Sequence, residues 1–206
     1  HRRLKAGVID AHVALARVLR TSGEVAMSLA ECELAVDLNP NLAVAHYALA
    51  FAQVSAGRPR EALASTELSL RLSPYDPLMH GFLTLKAGIL LILGRADDAI
   101  DAARNAQRWP SCTAWAWMQE AAALASVNRR DEARAAMRRA QALLPRIPAA
   151  AERAPLPFFT AATPPRRGRV LFFAGCVMPE LFGGVNRASL RVLARNGFDV
   201  VVPPEQ

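Results

Sequence analysis

The sequence predicts a mainly α-helical fold in which roughly four helix pairs stack on one another, followed by a small strand–helix–strand fragment. Three observations lead to this prediction. Residues that end helices recur at a constant interval, the composition favours close helix packing, and the hydrophobic pattern changes after a proline-rich segment. Of the 206 residues, 52% are hydrophobic but only 6% are aromatic, and 41 are alanine, whose small side chain lets helices approach closely.

The repeat interval is 34 residues, which separates Gly23 from Gly57 and Pro40 from Pro74. Each unit is predicted to contain an amphipathic helix, a turn at the glycine, a second helix and a terminating proline. Such a period is typical of stacked helix–turn–helix arrays, because one pair of helices cannot bury its apolar side alone. In the second unit the two helices are predicted at residues 44–56 and 60–72.

The last two units depart from the simple repeat. Gly94 follows Gly57 by 37 residues, while His80 follows His46 by 34, so three extra residues are predicted in the first helix of the third unit. In the fourth unit Asn128 replaces the turn glycine. Asparagine is the next-best residue for a left-handed helix end, so the turn is predicted to be kept.

Histidine recurs at one position of the repeat, as His12, His46 and His80. This recurrence raises a metal site as an interpretation. However, equivalent helices in a stack lie about 8–10 Å apart, whereas nitrogen ligands lie about 2 Å from a zinc ion. We therefore expect each imidazole ring to fill a packing position between helices.

The period, the small residues and the terminal prolines together resemble tetratricopeptide repeats (TPRs) over residues 9–145. Residues 72–77 and 94–99 are most similar to the C-terminal repeats of bacterial class III nucleotide cyclases. The resemblance implies a TPR-type α-solenoid whose concave face is lined by the first helices and docks a protein partner, either a peptide or a helix with apolar anchors. Carried onto this sequence, that face would expose Arg17, Tyr47, Phe51, Phe82, Trp115, Met118 and Gln119.

Two further implications follow from the same resemblance. The TPR proteins that bind chaperone tails use a clamp of lysine and asparagine, but here Val13, Arg17 and Ala48 occupy the matching positions, so no such clamp is expected. The alternative interpretation of the aromatic residues is that they pack between repeats and contact no partner.

A linker is predicted at residues 146–167, between a repeat domain at 1–145 and a different domain at 168–206. The prolines at 148, 155, 157, 164 and 165 are spaced too closely for a regular element. Beyond the linker, residues 169–174 and 198–202 are predicted as strands and residues 181–195 as a helix, which together form a strand–helix–strand unit.

Cys176 follows the first of these strands, where ligands of open α/β sheets collect, although a buried structural thiol is the alternative. Residues 168–206 resemble the start of the cysteine-rich (CCG) domain that glycolate oxidase iron–sulfur subunits share with heterodisulfide reductases. The resemblance implies that Cys176 is a ligand of an iron–sulfur cluster. Its partner motifs, Cys-Cys-Gly and Cys-x-x-Cys, are not in this sequence. No cofactor is therefore expected in the chain as given, and a 4Fe–4S cluster is expected only in a longer product.

The overall composition bears on partners and location. The net charge is +7 and the pI is near 10.3, but the arginines at 129–139 alternate with acidic residues as on a solvated helix face, so no nucleic acid partner is predicted. No apolar stretch approaches the roughly 20 residues that span a bilayer, so no transmembrane segment is predicted. Cys32, Cys112 and Cys176 form no Cys-x-x-Cys pair, which favours a reducing, cytoplasmic location.

Three functional hypotheses follow. The first is a protein-interaction scaffold. The second is a fragment of an iron–sulfur electron-transfer subunit of a glycolate/lactate oxidase-like or heterodisulfide reductase-like oxidoreductase, with the repeats docking a partner. The third is a fusion of two unrelated reading frames. No triad, phosphate loop or paired carboxylates are found, so no catalytic residue is assigned and the chain as given is not expected to be an enzyme. A longer product would be a non-catalytic subunit of a 2-hydroxy acid oxidoreductase. Neither the oligomeric state nor a substrate is predicted.

Overall fold

The computed structural model describes residues 2–144, 156–173 and 178–203, without the side chains of residues 2–6 and 178–183. The chain divides into two units, His1–Leu144 and Pro145–Gln206. The first unit contains only helices in its described residues, and the second contains a small sheet and a helix. The predicted mainly α-helical solenoid with a small C-terminal α/β part is therefore confirmed.

The first unit is a stack of helix pairs. Each odd-numbered helix packs against the next even-numbered helix, and it also contacts the odd-numbered helix of the following pair. This arrangement repeats along the unit, as the 34-residue interval predicts. The helices are α1 (Arg2–Thr21), α2 (Val25–Leu38), α3 (Ala43–Ser55), α4 (Pro59–Leu72), α5 (Met79–Ile92), α6 (Ala96–Gln107), α7 (Ala114–Ser126) and α8 (Arg130–Leu143).

Each helix pair turns at a residue with positive φ. The angles are 87° at Gly23, 72° at Gly57, 75° at Gly94 and 62° at Asn128, so the asparagine adopts the same left-handed conformation as the glycines. In every turn, the N–H of the next residue donates to the carbonyl oxygen five residues earlier, at 2.9 Å. These bonds join Glu24 to Leu19, Arg58 to Gln53, Arg95 to Leu90 and Arg129 to Leu124.

Alanine forms much of the core between helices. Close packing of these small side chains, with a few large apolar residues between them, explains why so few aromatic residues suffice. Ile89, Leu90 and Leu124 are the largest aliphatic side chains buried in the stack. The alanines with no exposed surface are Ala35, Ala45, Ala50, Ala52, Ala62, Ala87, Ala99, Ala103, Ala106, Ala116 and Ala123.

The extra residues of the third repeat lie mainly in a loop, which corrects the predicted register. The connection from α4 to α5 spans residues 73–78, two residues longer than the connection from α2 to α3, and α5 is only one residue longer than α3. The cause is Pro74 and Pro77, which disfavour helical conformation in the residues before them. Asp76 then accepts a hydrogen bond from the Leu78 N–H at 2.8 Å, immediately before α5 begins.

Because of this shift, His80 does not occupy the repeat position of His46. Counted back from the turn glycine, that position in the third repeat belongs to Leu83. The three rings also have different partners. His12 pairs with Glu31, His46 bonds the Pro40 carbonyl at 2.8 Å, and His80 bonds the Ser111 hydroxyl at 2.9 Å.

The second unit contains a three-stranded sheet in the order β1–β3–β2, with α9 (Met178–Arg195) between β2 and β3 in the chain. β2 (Gly168–Leu171) pairs in parallel with β3 (Phe198–Val201), so that Gly168 faces Phe198. β1 (Phe159–Thr160) pairs antiparallel with the other edge of β3. The predicted strand–helix–strand unit is therefore present, although β2 ends at Leu171 and not at residue 174.

β1 lies inside the segment for which no regular element is predicted, so that prediction is wrong at Phe159 and Thr160. The prolines flank this strand without interrupting it, and an edge strand tolerates prolines beside it. The N–H of Val202 also donates to the Phe158 carbonyl at 2.9 Å, which extends the pairing by one bond.

Candidate binding groove on the repeat unit

The principal candidate site is a groove of about 620 Å³ formed by the first helices of three successive repeats. Helix α5 forms its floor, and residues of α3 and α7 form its two walls. Its volume is within the range of about 300–1,000 Å³ that is typical of ligand pockets. We refer to it below as the α5 groove.

Two glycines of α5 create the floor of the α5 groove. Gly81 and Gly88 are seven residues apart, so they lie on one face of the helix. A β-carbon at Gly81 would lie 2.9 Å from the hydroxyl oxygen of Tyr47, and one at Gly88 would lie 3.2 Å from Nε2 of Gln119. The missing side chains therefore let groups of α3 and α7 reach across the backbone of α5.

Comparison of the repeats explains why the groove forms at this place. Relative to the turn glycine, Tyr47 and Phe51 of the second repeat correspond to Thr84 and Gly88 of the third. The third repeat thus replaces two large aromatic side chains with small ones. The walls keep their aromatic residues, and the space between them stays open.

An aromatic cluster forms the α3 wall. The Tyr47 ring lies 5.0 Å from the Phe51 ring in an edge-to-face arrangement and 4.8 Å from the Phe82 ring. Burial raises the pKa of Tyr47, while the positive charges of Arg17 and Arg20 oppose that rise. The hydroxyl of Tyr47 therefore remains protonated at neutral pH.

The expectation that Phe82 is exposed to a partner is wrong, because its side chain is 0% exposed. The reason is again the register of the third repeat. Counted from the turn glycine, Phe82 corresponds to Ala45, which is also fully buried. Phe82 therefore supports the ring of Tyr47 from the core.

The other predicted binding residues fall into two groups. Tyr47, Phe51, Trp115 and Gln119 line the α5 groove, and the side chain of Trp115 is 63% exposed. Arg17 is exposed on α1 and Met118 is half-buried on α7, and neither lines the groove. Whether any of these residues contacts a partner remains a prediction.

Sequence reasoning missed several groove residues, of which Arg20 is the most informative. Its guanidinium group lies 5.1 Å from the centre of the Phe51 ring, a distance at which a cation is attracted to an aromatic face. The signal available in the sequence is its spacing of three residues from Arg17, which places both arginines on one side of α1. The others are Val54, His80, Gly81, Thr84, Leu85, Gly88, Ile89, Leu91, Ile92 and Thr113.

The α7 wall is held in place by a buried carboxylate. Glu120, which is 5% exposed, accepts hydrogen bonds from Arg104 at 2.8 Å and from Gln107 at 2.7 Å, and both partners belong to α6. Arg104 also reaches Glu132 of α8 at 3.5 Å. This network fixes α7 between its neighbours, and Gln119 is adjacent to Glu120 in the chain.

The predicted metal ligand Cys176 lies outside the described residues, so the structure gives it no surroundings. Among the residues that are described, no group of three or more histidine, cysteine or acidic side chains is placed to hold a metal ion. Cys32 and Cys112 both belong to the repeat unit. Burial raises the pKa of Cys32 to about 11 and also raises the pKa of Cys112.

The arginine-rich segment of α8 forms ion pairs with its own acidic residues. Arg129 pairs with Glu132 at 2.7 Å, and Arg134 pairs with Asp131 at 3.2 Å. Arg139 lies 5.0 Å from the centre of the Trp117 ring. None of the helices in the described ranges combines the length and apolarity required to cross a bilayer.

Solved structures of TPR proteins resemble the repeat unit. The TPR protein YrrB, described as having an unusual peptide-binding site, aligns with a TM-score of 0.52 and 21% identity over 65% of this chain and 68% of its own. A thermophilic TPR protein of Thermus thermophilus, TTC0263, gives 0.60 and 21% over 67% and 75%. PilF of Pseudomonas aeruginosa gives 0.60 and 17% over 68% and 62%. These similarities show the TPR fold.

A second similarity concerns a shorter stretch. The probable glycolate oxidase iron–sulfur subunit of Bacillus subtilis (strain 168) is 39% identical over 70 residues, which are 34% of this chain. The match covers 16% of that relative's length. It is consistent with a CCG-like segment. The chain matches no protein-family model.

Proposed function

We propose that this chain is a protein-interaction scaffold that docks a peptide or a helix of a partner protein in the α5 groove. The observation that carries the proposal is the open floor at Gly81 and Gly88 between walls that bear exposed aromatic and aliphatic groups. The TPR fold supports a protein partner, since stacked repeats present extended binding surfaces. YrrB, which shares the fold, is described as having a peptide-binding site.

The groove offers apolar area that a partner can cover. Trp115 and Ile92 are both well exposed although their side chains are large and apolar. Burial of such surface contributes about 25 cal/mol per Å², and aromatic residues commonly provide much of the affinity at protein interfaces. An apolar anchor residue of the partner would occupy the space above the two glycines.

Selection from a phage-displayed random dodecapeptide library on the immobilised full chain tests this proposal. Binding of the selected peptides, synthesised with a fluorophore, is measured by fluorescence anisotropy. Trp115→Ala should weaken binding at least about tenfold, because it removes the largest exposed side chain of the groove. Tyr75→Ala is the matched control, since Tyr75 is 89% exposed on the loop before α5 and outside the groove. Failure to select peptides, or binding unchanged by Trp115→Ala, contradicts the proposal.

A second candidate function is part of an iron–sulfur electron-transfer subunit, with the repeats docking its partner. The similarity to the Bacillus subtilis subunit favours it. The residues present do not make up a cluster site, because the second unit has one cysteine, Cys176, whereas a cluster of this kind needs about four protein ligands. The remaining ligands would have to come from a longer product or from another chain.

Two measurements test this candidate. The reading frame after Gln206 should encode Cys-Cys-Gly if the chain is part of a redox subunit. Anaerobic reconstitution of the chain as given with iron and sulfide should yield no stoichiometric visible chromophore. A stable brown protein that loses its colour in Cys176→Ser would instead show that a cluster forms, with ligands shared between chains. A stop codon directly after Gln206 counts against the redox function.

A further inference from the structure

We propose that the segment bound in the α5 groove carries a carboxylate beside its apolar anchor, and that Arg17 and Arg20 bind this carboxylate. The inference rests on the proposed function, since it specifies the chemistry of the partner for the same groove. It is based on the charge, the placement and the pairing of the two arginines.

The α5 groove has no acidic residue in its lining, and Arg20 is its one residue with a permanent charge. Arg17 is close to the same wall, because both arginines act electrostatically on the hydroxyl of Tyr47. The potential at the α1 end of the groove is therefore positive. A partner segment with a negative group at this end would be favoured over a neutral or basic one.

Neither arginine has a carboxylate partner among the described residues. Glu31 on the adjacent helix α2 pairs with His12 and not with Arg20. By contrast, the arginines that follow the turn residues pair with acids three residues later, as Arg58 does with Glu61 at 2.8 Å. The donor groups of Arg17 and Arg20 thus remain available to a ligand.

The position of the two arginines in the repeat distinguishes the first repeat from the others. The residues equivalent to Arg17 are Phe51, Gly88 and Ala122, and those equivalent to Arg20 are Val54, Leu91 and Ala125. Only the first repeat has cations at these two places. The positive end of the groove is therefore a local feature and not a property of the whole stack.

The geometry of Arg20 suits a carboxylate. Its guanidinium group lies against the Phe51 ring, so the ring covers one side of the group, while the N–H groups around its edge can still donate. A planar fork of this kind binds carboxylates with two parallel hydrogen bonds. The apolar anchor would then lie toward Trp115, and the acidic residue toward α1.

Charge reversal provides the decisive test. Peptides selected on the full wild-type chain should combine an apolar residue with aspartate or glutamate. Binding should weaken at least about tenfold in Arg17→Glu/Arg20→Glu and should decline at about 1 M salt, where the Debye length is about 3 Å. Replacing the peptide's acids with lysine should restore binding to the reversed variant and weaken binding to wild type.

The matched control is Arg130→Glu/Arg138→Glu, which changes the net charge equally at exposed sites of α8 and should leave peptide binding unchanged. Circular dichroism verifies that both variants fold, and Arg17→Gln/Arg20→Gln replaces the reversed variant if it does not. A single-stranded oligonucleotide is tested in parallel. Tighter binding of the oligonucleotide than of the peptides, lost on charge reversal, would assign the arginines to nucleic acid and overturn the inference.

The outcomes separate this inference from the proposed function. Neutral or basic peptides that depend on Trp115 but not on the arginines would refute the carboxylate and leave the scaffold function intact. Peptides that do not depend on Trp115, or the absence of any selected peptide, would refute both. Acidic peptides whose binding depends on both Trp115 and the arginines would support both.

Discussion

The hydroxyl oxygen of Tyr47 lies 2.9 Å from the place that a β-carbon would take at Gly81. Alanine normally stabilises a helix relative to glycine by about 1 kcal/mol. At this position the new methyl group would displace a ring that packs between Phe51 and Phe82. We therefore expect Gly81→Ala to give none of this gain and to lower the free energy of unfolding by up to about 1 kcal/mol.

Urea unfolding followed by tryptophan fluorescence measures this effect, since all three tryptophans belong to the repeat unit. Gly7→Ala on α1 is the matched control, because a β-carbon there meets no atom within 4 Å. It should stabilise the unit. Combining Gly81→Ala with Tyr47→Phe removes the conflicting oxygen and should recover much of the loss. Equal stabilisation by the two alanine substitutions would contradict the contact with Tyr47.

Glu120 provides a prediction about the α7 wall. Replacing Glu120 with alanine deprives Arg104 and Gln107 of their acceptors, but both donors can turn to water, so the loss should be about 1–2 kcal/mol. Glu120→Gln, which keeps one acceptor oxygen, should lose less. Glu61→Gln is the control, since its ion pair with Arg58 is exposed and should contribute under about 1 kcal/mol. Urea midpoints of the three variants should differ in this order, and equal midpoints would refute a structural role for the network.

Cys32 should make the repeat unit less stable at high pH. Burial, followed by the charges of Glu31 and Glu33, raises the pKa of this thiol from 9.0 to about 11 in the folded chain. Because the raised pKa favours the protonated form, the stabilisation is fully present below pH 9 and is lost as the pH rises toward 11. The free energy of unfolding of wild type should therefore fall over this interval more steeply than that of Cys32→Ala.

Urea unfolding on both sides of the interval compares the two slopes. Cys112→Ala is the control, since that thiol is only partly buried and should change the slope less. A thiol reagent at neutral pH should also modify Cys112 before Cys32, which is 1% exposed. Parallel pH profiles for wild type and Cys32→Ala would exclude this thiol as a source of the alkaline instability.

Local sequence was sufficient to predict the helix turns, because one residue determines each of them. Gly57 and Asn128 adopt the left-handed conformation that their side chains permit, and the helices around them follow. The register of the third repeat was not predictable from the recurrence of histidine. Pro74 and Pro77 lengthen the loop, and the resulting shift places Phe82 in the core.

The groove and the first strand depend on contacts between distant residues. A glycine within a helix gives no sign of its role until the opposing side chain is known, as for Gly88 and Gln119. Likewise, Phe159 and Thr160 form a strand only because β3 presents an edge to them. Arg20 was missed because its position beside Phe51 requires α1 and α3 to be in contact.

Asp199 leads to a prediction for the second unit. The hydrogen bond from the Ala162 N–H, aided by Arg166 and Arg169, holds the pKa of this carboxyl below its usual value. Since the lowered pKa favours the charged form, the stabilisation is present above the unfolded value of 3.8 and is lost as the pH falls through the folded value. Asp199→Asn should weaken this acid dependence and speed hydrogen exchange at the Ala162 amide. Asp131→Asn, which changes an exposed carboxylate on α8, should leave that amide unaffected.

Filling the groove is the sharpest test of its role, because the second repeat shows which side chain to install. Gly88→Phe places in the third repeat the residue that Phe51 provides in the second, and Gln119→Ala removes the amide that lies 3.2 Å from the new β-carbon. The double variant should fold with a thermal midpoint close to that of Gln119→Ala, because its phenyl ring enters open space. Its affinity for groove-binding peptides should fall at least about tenfold, as the ring takes the place of the apolar anchor. Gly7→Phe, which adds the same ring on α1, should bind those peptides as wild type does. Retained affinity in a folded double variant would mean that the peptides bind elsewhere on the repeat unit.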